Sequence, residues 1–241
     1  AMTEQKNQIS DTMEERIAAI REKMTAAARA AGRSPQEILL CAASKMQSAE
    51  TVRAASLLQL DLFGENRVQE LVQKLEQNAY GDKPVHFIGH LQTNKVRQVV
   101  GAVSLIQSVG SLRLLEAVDK QAALKDLCQP ILLEVNIGSE ESKSGFAAQD
   151  LSAALEAAQR LSHVRVEGLM AIPPVRDTQD ENRKDLAAVR RCWERLAPEC
   201  GENACMKWLS MGMSGDFENA ILEGANIVRV GTAIFGARSY P

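Results

Sequence analysis

The sequence predicts an α/β fold: a single (β/α)8 TIM barrel over residues 1–241, with an extra helix over 1–32 packed against it. Three observations predict it. Eight short apolar runs recur along the chain, each of strand length and apolar enough to be buried on both faces. Segments with helical apolar spacing alternate with those runs, as in parallel sheets built from strand–helix units. The first run ends Ala43-Ser44-Lys45, without the glycine fingerprint that an open dinucleotide-type sheet wants after its first strand. Eight units within about 200 residues favour a closed barrel.

The first helix follows from Ile17, Ile20, Met24 and Ala27, spaced by three and four; Gly32 stops it, with Ser34-Pro35 beyond. Strands are expected over 38–44, 60–64, 85–89, 105–108, 131–136, 164–171, 206–211 and 227–230. Helices are expected over 49–58, 68–78, 112–125, 147–161, 180–196 and 216–223. No Pro/Gly/Ser-rich linker divides the chain. Polar residues follow nearly every apolar run: Lys45, Asn66, His90, Ser108, Asn136, Ser210 and Arg229. Core packing alone does not produce that placement, and the C-terminal strand ends are where such barrels carry their chemistry.

Composition narrows the partners. With 28 basic and 31 acidic residues, the net charge of −3 creates no field for nucleic acid or an anionic membrane. No apolar run approaches the ~20 residues of a membrane helix. The first residues are polar, without a secretory apolar segment. Cys41, Cys128, Cys192, Cys200 and Cys205 are an odd, scattered set, which argues against a disulfide framework and for a reducing cytoplasm. No cysteines or histidines cluster at ligand spacing, so no metal is expected.

Three segments could carry chemistry. A lysine such as Lys45, among the low-dielectric walls of a barrel mouth, is the amine nucleophile that a Schiff base requires; on its own it reads more readily as a solvated strand-end lysine, and the segments below reverse that weighting. Ser210-Met211-Gly212-Met213-Ser214-Gly215-Asp216 follows the seventh run and opens a helix, offering hydroxyls and free N–H groups to an anion, or only a capped turn. Val228-Arg229-Val230-Gly231-Thr232 ends the eighth run, where Gly231 permits close backbone approach and Thr232 adds a hydroxyl. The loops after strands seven and eight are the frequent phosphate site of these barrels, so the last two segments converge on one phosphate. Arg229 could instead pair with a carboxylate at the rim. His90 could act as an acid or base, or cap and stack; His86, inside a strand, reads as structural. No catalytic residue is assigned. The meaning of Lys143 and of Glu65 is open from spacing alone.

Together these segments resemble the pyridoxal phosphate homeostasis proteins, a family of single-barrel binders of pyridoxal 5′-phosphate (PLP). The resemblance runs through Ala43-Ser44-Lys45, Phe63-Gly64-Glu65-Asn66-x-x-Gln69-Glu70 and His86-Phe87-Ile88-Gly89-His90-Leu91-Gln92-x-Asn94-Lys95. It continues through Ser142-Lys143-Ser144-Gly145, Gly168-Leu169-Met170, Leu209-Ser210-Met211-Gly212-Met213-Ser214-x-Asp216 and Val228-Arg229-x-Gly231-Thr232-Ala233-Ile234-Phe235-Gly236. It implies a fold of the alanine racemase N-terminal type and a Schiff base on Lys45. It implies that Ser214, Gly231 and Thr232 hold the phosphate, that Arg229 faces the pyridine nitrogen, and that Asn66, Ser210 and Met211 line the cofactor. It further implies a cytoplasmic monomer that holds PLP and hands it to PLP-requiring apoenzymes, without established turnover. The pair Met46-Gln47 after Lys45 departs from many relatives and puts the loop's shape in question.

Two arguments favour binding over turnover. A cationic arginine facing the ring nitrogen disfavours the ring proton that makes PLP a strong electron sink, although alanine racemase works with an arginine there. A racemase also needs a second base; alanine racemase brings a tyrosine from a further domain, whereas this sequence has only Tyr80 and Tyr240, neither obviously placed. A PLP-dependent amino-acid racemase is the alternative, and a barrel that takes another phosphate ester is a third reading.

Overall fold

The computed structural model describes residues 2–138 and 144–236, with side chains from Met13 onward. Eight parallel strands close into a barrel: β1 (Leu39–Ala43), β2 (Leu62–Glu65), β3 (Val85–Phe87), β4 (Leu105–Val109), β5 (Gln129–Asn136), β6 (Val164–Ala171), β7 (Ala204–Ser210) and β8 (Ile227–Val230). Each pairs with the next, and β1 also pairs with β8, with Cys41 opposite Leu62 on one side and Arg229 on the other. The pairing of Ile106 with Ile131 joins β4 to β5 and completes the ring. All eight expected strands are present, within a few residues of their expected ends.

Alternation along the strands separates two cores. Cys41, Leu62 and Ile227, with Leu39 and Trp208, pack together inside the barrel; Leu105, Leu132 and Met170 meet Trp208 there as well. The other face of each strand joins the larger core shared with the helices, which includes Leu40, Ala42, Phe63, Ile106, Leu133 and Val228. Gly168 sits at φ +148°, and a Cβ there would lie 1.9 Å from the Trp208 carbonyl oxygen, so only glycine lets β6 and β7 approach this closely.

Helices cover the outside: α1 (Met2–Ala30), α2 (Ala49–Ala55), α3 (Val68–Glu76), α4 (Val96–Val99), α5 (Leu112–Leu124), α6 (Leu151–Gln159), α7 (Gln179–Leu196), α8 (Phe217–Leu222) and α9 (Thr232–Phe235). The apolar stripe Met13, Ile17, Ile20, Met24 and Ala27 is buried as α1 lies against α8 and α9, and Gly32 at φ +69° ends its last turn. The Ser48 and Ser111 side chains accept from Thr51 and Leu114 N–H, and Thr178 with Glu181 forms a capping box. Such caps contribute about 1 kcal/mol each. No helix among the described residues is long and apolar enough to cross a membrane.

The structure departs from expectation in two places. The helix expected over 147–161 starts only at Leu151, because the backbone of Phe146–Ala147 pairs with Val135 and Asn136 and a short 3-10 turn follows. Pairing to an open strand end overrides the helical preference of the alanines. Helices α4 and α9 have four residues each, too short to leave a periodic signature.

Candidate functional site

A cavity of about 240 Å³ opens at the C-terminal ends of β1, β2, β7 and β8. Lys45, Asn66, Ser214, Arg229, Gly231 and Thr232 all line it. These six come from four separate segments, and only the closed barrel makes them neighbours.

Lys45 is half-buried in the turn that follows β1, and its backbone is held from behind. The Lys74 ammonium on α3 donates to the Ser44 carbonyl at 2.8 Å and to Glu65 Oε1 at 2.8 Å. Glu65 Oε1 also accepts from the Ser44 hydroxyl at 2.5 Å. On the other side of Lys45, Glu70 accepts the Met46 N–H at 2.6 Å. Met46 holds φ +62°, a left-handed conformation that costs a non-glycine residue about 1–2 kcal/mol. The departure noted at Met46-Gln47 therefore falls on a strained turn that Glu70 stabilises. Glu65 and Lys74 are buried, and burial beside Glu65 holds the Tyr80 phenol above its ordinary range.

The opposite wall suits an anion. Gly231 and Ala233 point their N–H groups at Ser214 Oγ, at 3.3 and 3.4 Å. The Ser214 loop is shaped by Asp216, which occupies the N-cap position of α8 but turns back to accept the Met213 N–H at 2.8 Å; its other oxygen accepts from Asn182 at 3.0 Å. Thr232 stays exposed beside this cradle. On the third side, Asn66 Oδ1 is buried and has no hydrogen-bond partner among the described residues. An unpaired buried acceptor costs about 1–3 kcal/mol, and a ligand in the cavity could supply its missing hydrogen bond.

Arg229 forms the floor. It is buried and makes no ion pair with a carboxylate among the described residues, so the rim pairing left open by the sequence is not formed. It donates instead to Ser210 Oγ at 2.5 Å and to the Ala171 carbonyl at 3.0 Å. Burial lowers its proton affinity; the nearby carboxylates of Asp216 and Glu134 oppose that. The chain of hydrogen bonds continues across the barrel interior. Ser210 donates to Gln107 Oε1 at 2.6 Å, and Gln107 Nε2 meets His86 Nδ1 at 2.9 Å. An amide nitrogen only donates, so Nδ1 accepts and the His86 ring is neutral. Burial agrees, depressing the His86 pKa to about 4.

Not every expected lining residue reaches the cavity. Ser210 lies beneath it, bound to Arg229 and Gln107. Met211 is fully buried in the larger core, because the alternation that turns Ser210 inward turns the next residue out; Met213 lines the cavity instead. His90 opens onto a different cavity. Lys143 and Tyr240 lie outside the described residues. Sequence reasoning missed Gln107, although a glutamine inside Leu105-Ile106-Gln107 was a visible signal. It also missed Lys74, which shows on α3 as an ordinary helical lysine. Cys41, buried near Arg229, has its thiol pushed up to about 12 by burial and is inert at neutral pH.

The family model described as alanine racemase, N-terminal domain, matches residues 16–239. The chain is 40% identical over 226 residues to a pyridoxal phosphate homeostasis protein of Aquifex aeolicus, covering 94% of this chain and 98% of that protein. It is 42% identical to the one from Pseudomonas aeruginosa, covering 95% and 97%. Among solved structures, PipY of Synechococcus elongatus with PLP bound superimposes with a TM-score of 0.79 at 33% identity, over 93% of this chain and all of that one. Alanine racemase of Clostridium difficile, at 12% identity and a TM-score of 0.74, shares the fold over 95% of this chain and 60% of its own.

Proposed function

The chain belongs to the family of pyridoxal phosphate homeostasis proteins, and on that premise we propose that it binds PLP as a Schiff base on Lys45 and serves intracellular PLP homeostasis as a carrier. The observation that carries this reading is the meeting, in one cavity, of Lys45 with the Ser214–Gly231–Thr232 cradle and Arg229. When bound, the cofactor supplies an aldehyde that condenses with amines. In this chain Lys45 is the amine that meets it. Ser214, the Gly231 and Ala233 N–H groups and the Thr232 hydroxyl hold its phosphate. Arg229 faces its ring, braced by Ser210 and Ala171.

Among the described residues, the cavity wall carries Lys45 and Arg229 as its titratable groups. An arginine is a poor general base, and His90 belongs to another cavity, so beside Lys45 the described wall offers no second base, which supports holding the cofactor over racemising a substrate. The receiving partners on this reading are PLP-requiring apoenzymes in the cytoplasm, and the carrier acts as a monomer.

The test is an absorbance spectrum of protein loaded with PLP, followed by borohydride reduction and peptide mapping. The reading expects a Schiff-base band that maps to Lys45 and is lost in Lys45→Ala. Absence of bound PLP would overturn it. Solvent deuterium entering Cα of alanine or serine at useful rates, and lost in Lys45→Ala, would replace the carrier with a racemase.

A further inference from the structure

A second cavity, of about 470 Å³, opens on the same face of the barrel beyond β3 and β4. Its chemistry differs from the first. His90, Ser108, Ser111 and Arg113 line it. The N-terminus of α5, a helix of 13 residues, opens onto it. Ser111 caps only the Leu114 N–H, so the Leu112 and Arg113 N–H groups have no acceptor among the described residues. Arg113 is exposed and has no carboxylate partner among them. Most telling, Ser108 is 95% buried, from its 5% exposure, and its Oγ has no hydrogen-bond partner among the described residues. A buried hydroxyl left unpaired is costly, and this one lines the same cavity as His90, Arg113 and the start of α5. Glu134 does not line the cavity; it is bound to the Ser144 hydroxyl at 3.0 Å.

We propose that this cavity is a second binding site for a small oxyanion, the carboxylate or phosphate group of a metabolite, held by Ser108, Arg113 and the first N–H groups of α5. A helix N-terminus favours negative charge, Arg113 pairs with two oxygens at once, and Ser108 donates from below. His90 adds a further donor at the rim. The mouth thus carries two anion sites on opposite arcs of the ring, one at β7 and β8 and one at β3 and β4. The second does not depend on what fills the first.

The test follows backbone amides by NMR while the full chain is titrated with inorganic phosphate and, separately, with acetate. Saturable shifts are expected at Leu112 and Arg113. Arg113→Ala should weaken that binding about tenfold, the loss of a solvent-exposed charge-assisted pairing. Ser108→Ala, a small change at a buried position, should weaken it as well. Neither variant should alter shifts at Gly231 and Ala233, which report the first cavity. A response to phosphate alone assigns a phosphate ligand, and an equal response to acetate assigns a carboxylate. No saturable shift at Leu112 and Arg113, shifts confined to Gly231 and Ala233, or unchanged binding in both variants would overturn the proposal.

Discussion

Lys74 and Glu65 form a buried ion pair, Nζ to Oε1 at 2.8 Å, directly behind the backbone that presents Lys45. The same ammonium holds the Ser44 carbonyl and lies 3.4 Å from Glu70, which holds the Met46 N–H. Three charges from β2 and α3 therefore fix the peptide groups on both sides of Lys45. Desolvating such a pair is expensive, so its value lies in the geometry it imposes.

Lys74→Met strands two carboxylates and frees the Ser44 carbonyl. Equilibrium urea unfolding should show a loss of about 3–5 kcal/mol, the usual cost of breaking a buried pair from one side. Combined with Glu65→Gln, the loss should be smaller than the sum of the two single losses, since the second change removes a charge the first left unpaired. A strictly additive result would mean the two charges are not coupled.

His86 makes stability depend on pH. The unfolded chain protonates a histidine at about 6.5, whereas the folded ring does so only at about 4. Between those values the unfolded state binds more protons, so stability falls as pH drops through the window and is unaffected above it. The full effect is roughly 3 kcal/mol. His86→Gln, which keeps an acceptor for Gln107 but cannot be protonated, should flatten unfolding curves measured from pH 7 to pH 4. An equally steep fall in the variant would place the dependence elsewhere.

Arg229→Ala removes the cavity floor without touching Lys45. The Schiff base should still form, but PLP should leave faster; trapping released PLP with an acceptor apoenzyme measures the rate. Stability should also drop by about 1–3 kcal/mol as the Ala171 carbonyl loses its buried donor. Equal release rates in variant and wild type would separate Arg229 from cofactor retention.

Gly89→Ala tests the placement of Asn66. A Cβ at Gly89 would lie 2.1 Å from the Asn66 carbonyl oxygen, backbone that cannot swing aside. The melting temperature should fall by an amount matching about 1–3 kcal/mol of overpacking, and PLP retention should weaken as Asn66 is driven from its place on the cavity wall. A normal melting temperature with normal retention would show that the turn relaxes freely.

The eight strands were legible in the sequence because burial on both faces leaves unbroken apolar runs, and the long helices because their buried faces repeat every three to four residues. Lys45, Ser214, Arg229, Gly231 and Thr232 were legible because barrel chemistry collects where those runs end. Local patterns of this kind carry no distances. Ser210 and Gln107 are separated by 103 residues and meet only because β4 and β7 face each other across a closed ring. Lys74 took its place behind Lys45 only when α3 packed on the barrel, and Met211 left the expected lining because the strand's alternation turned it outward. The sequence by itself determined the order of the elements and the ends at which chemistry gathers. Ring closure decided which of those ends share a cavity, because it sets the distances over which hydrogen bonds and charges act.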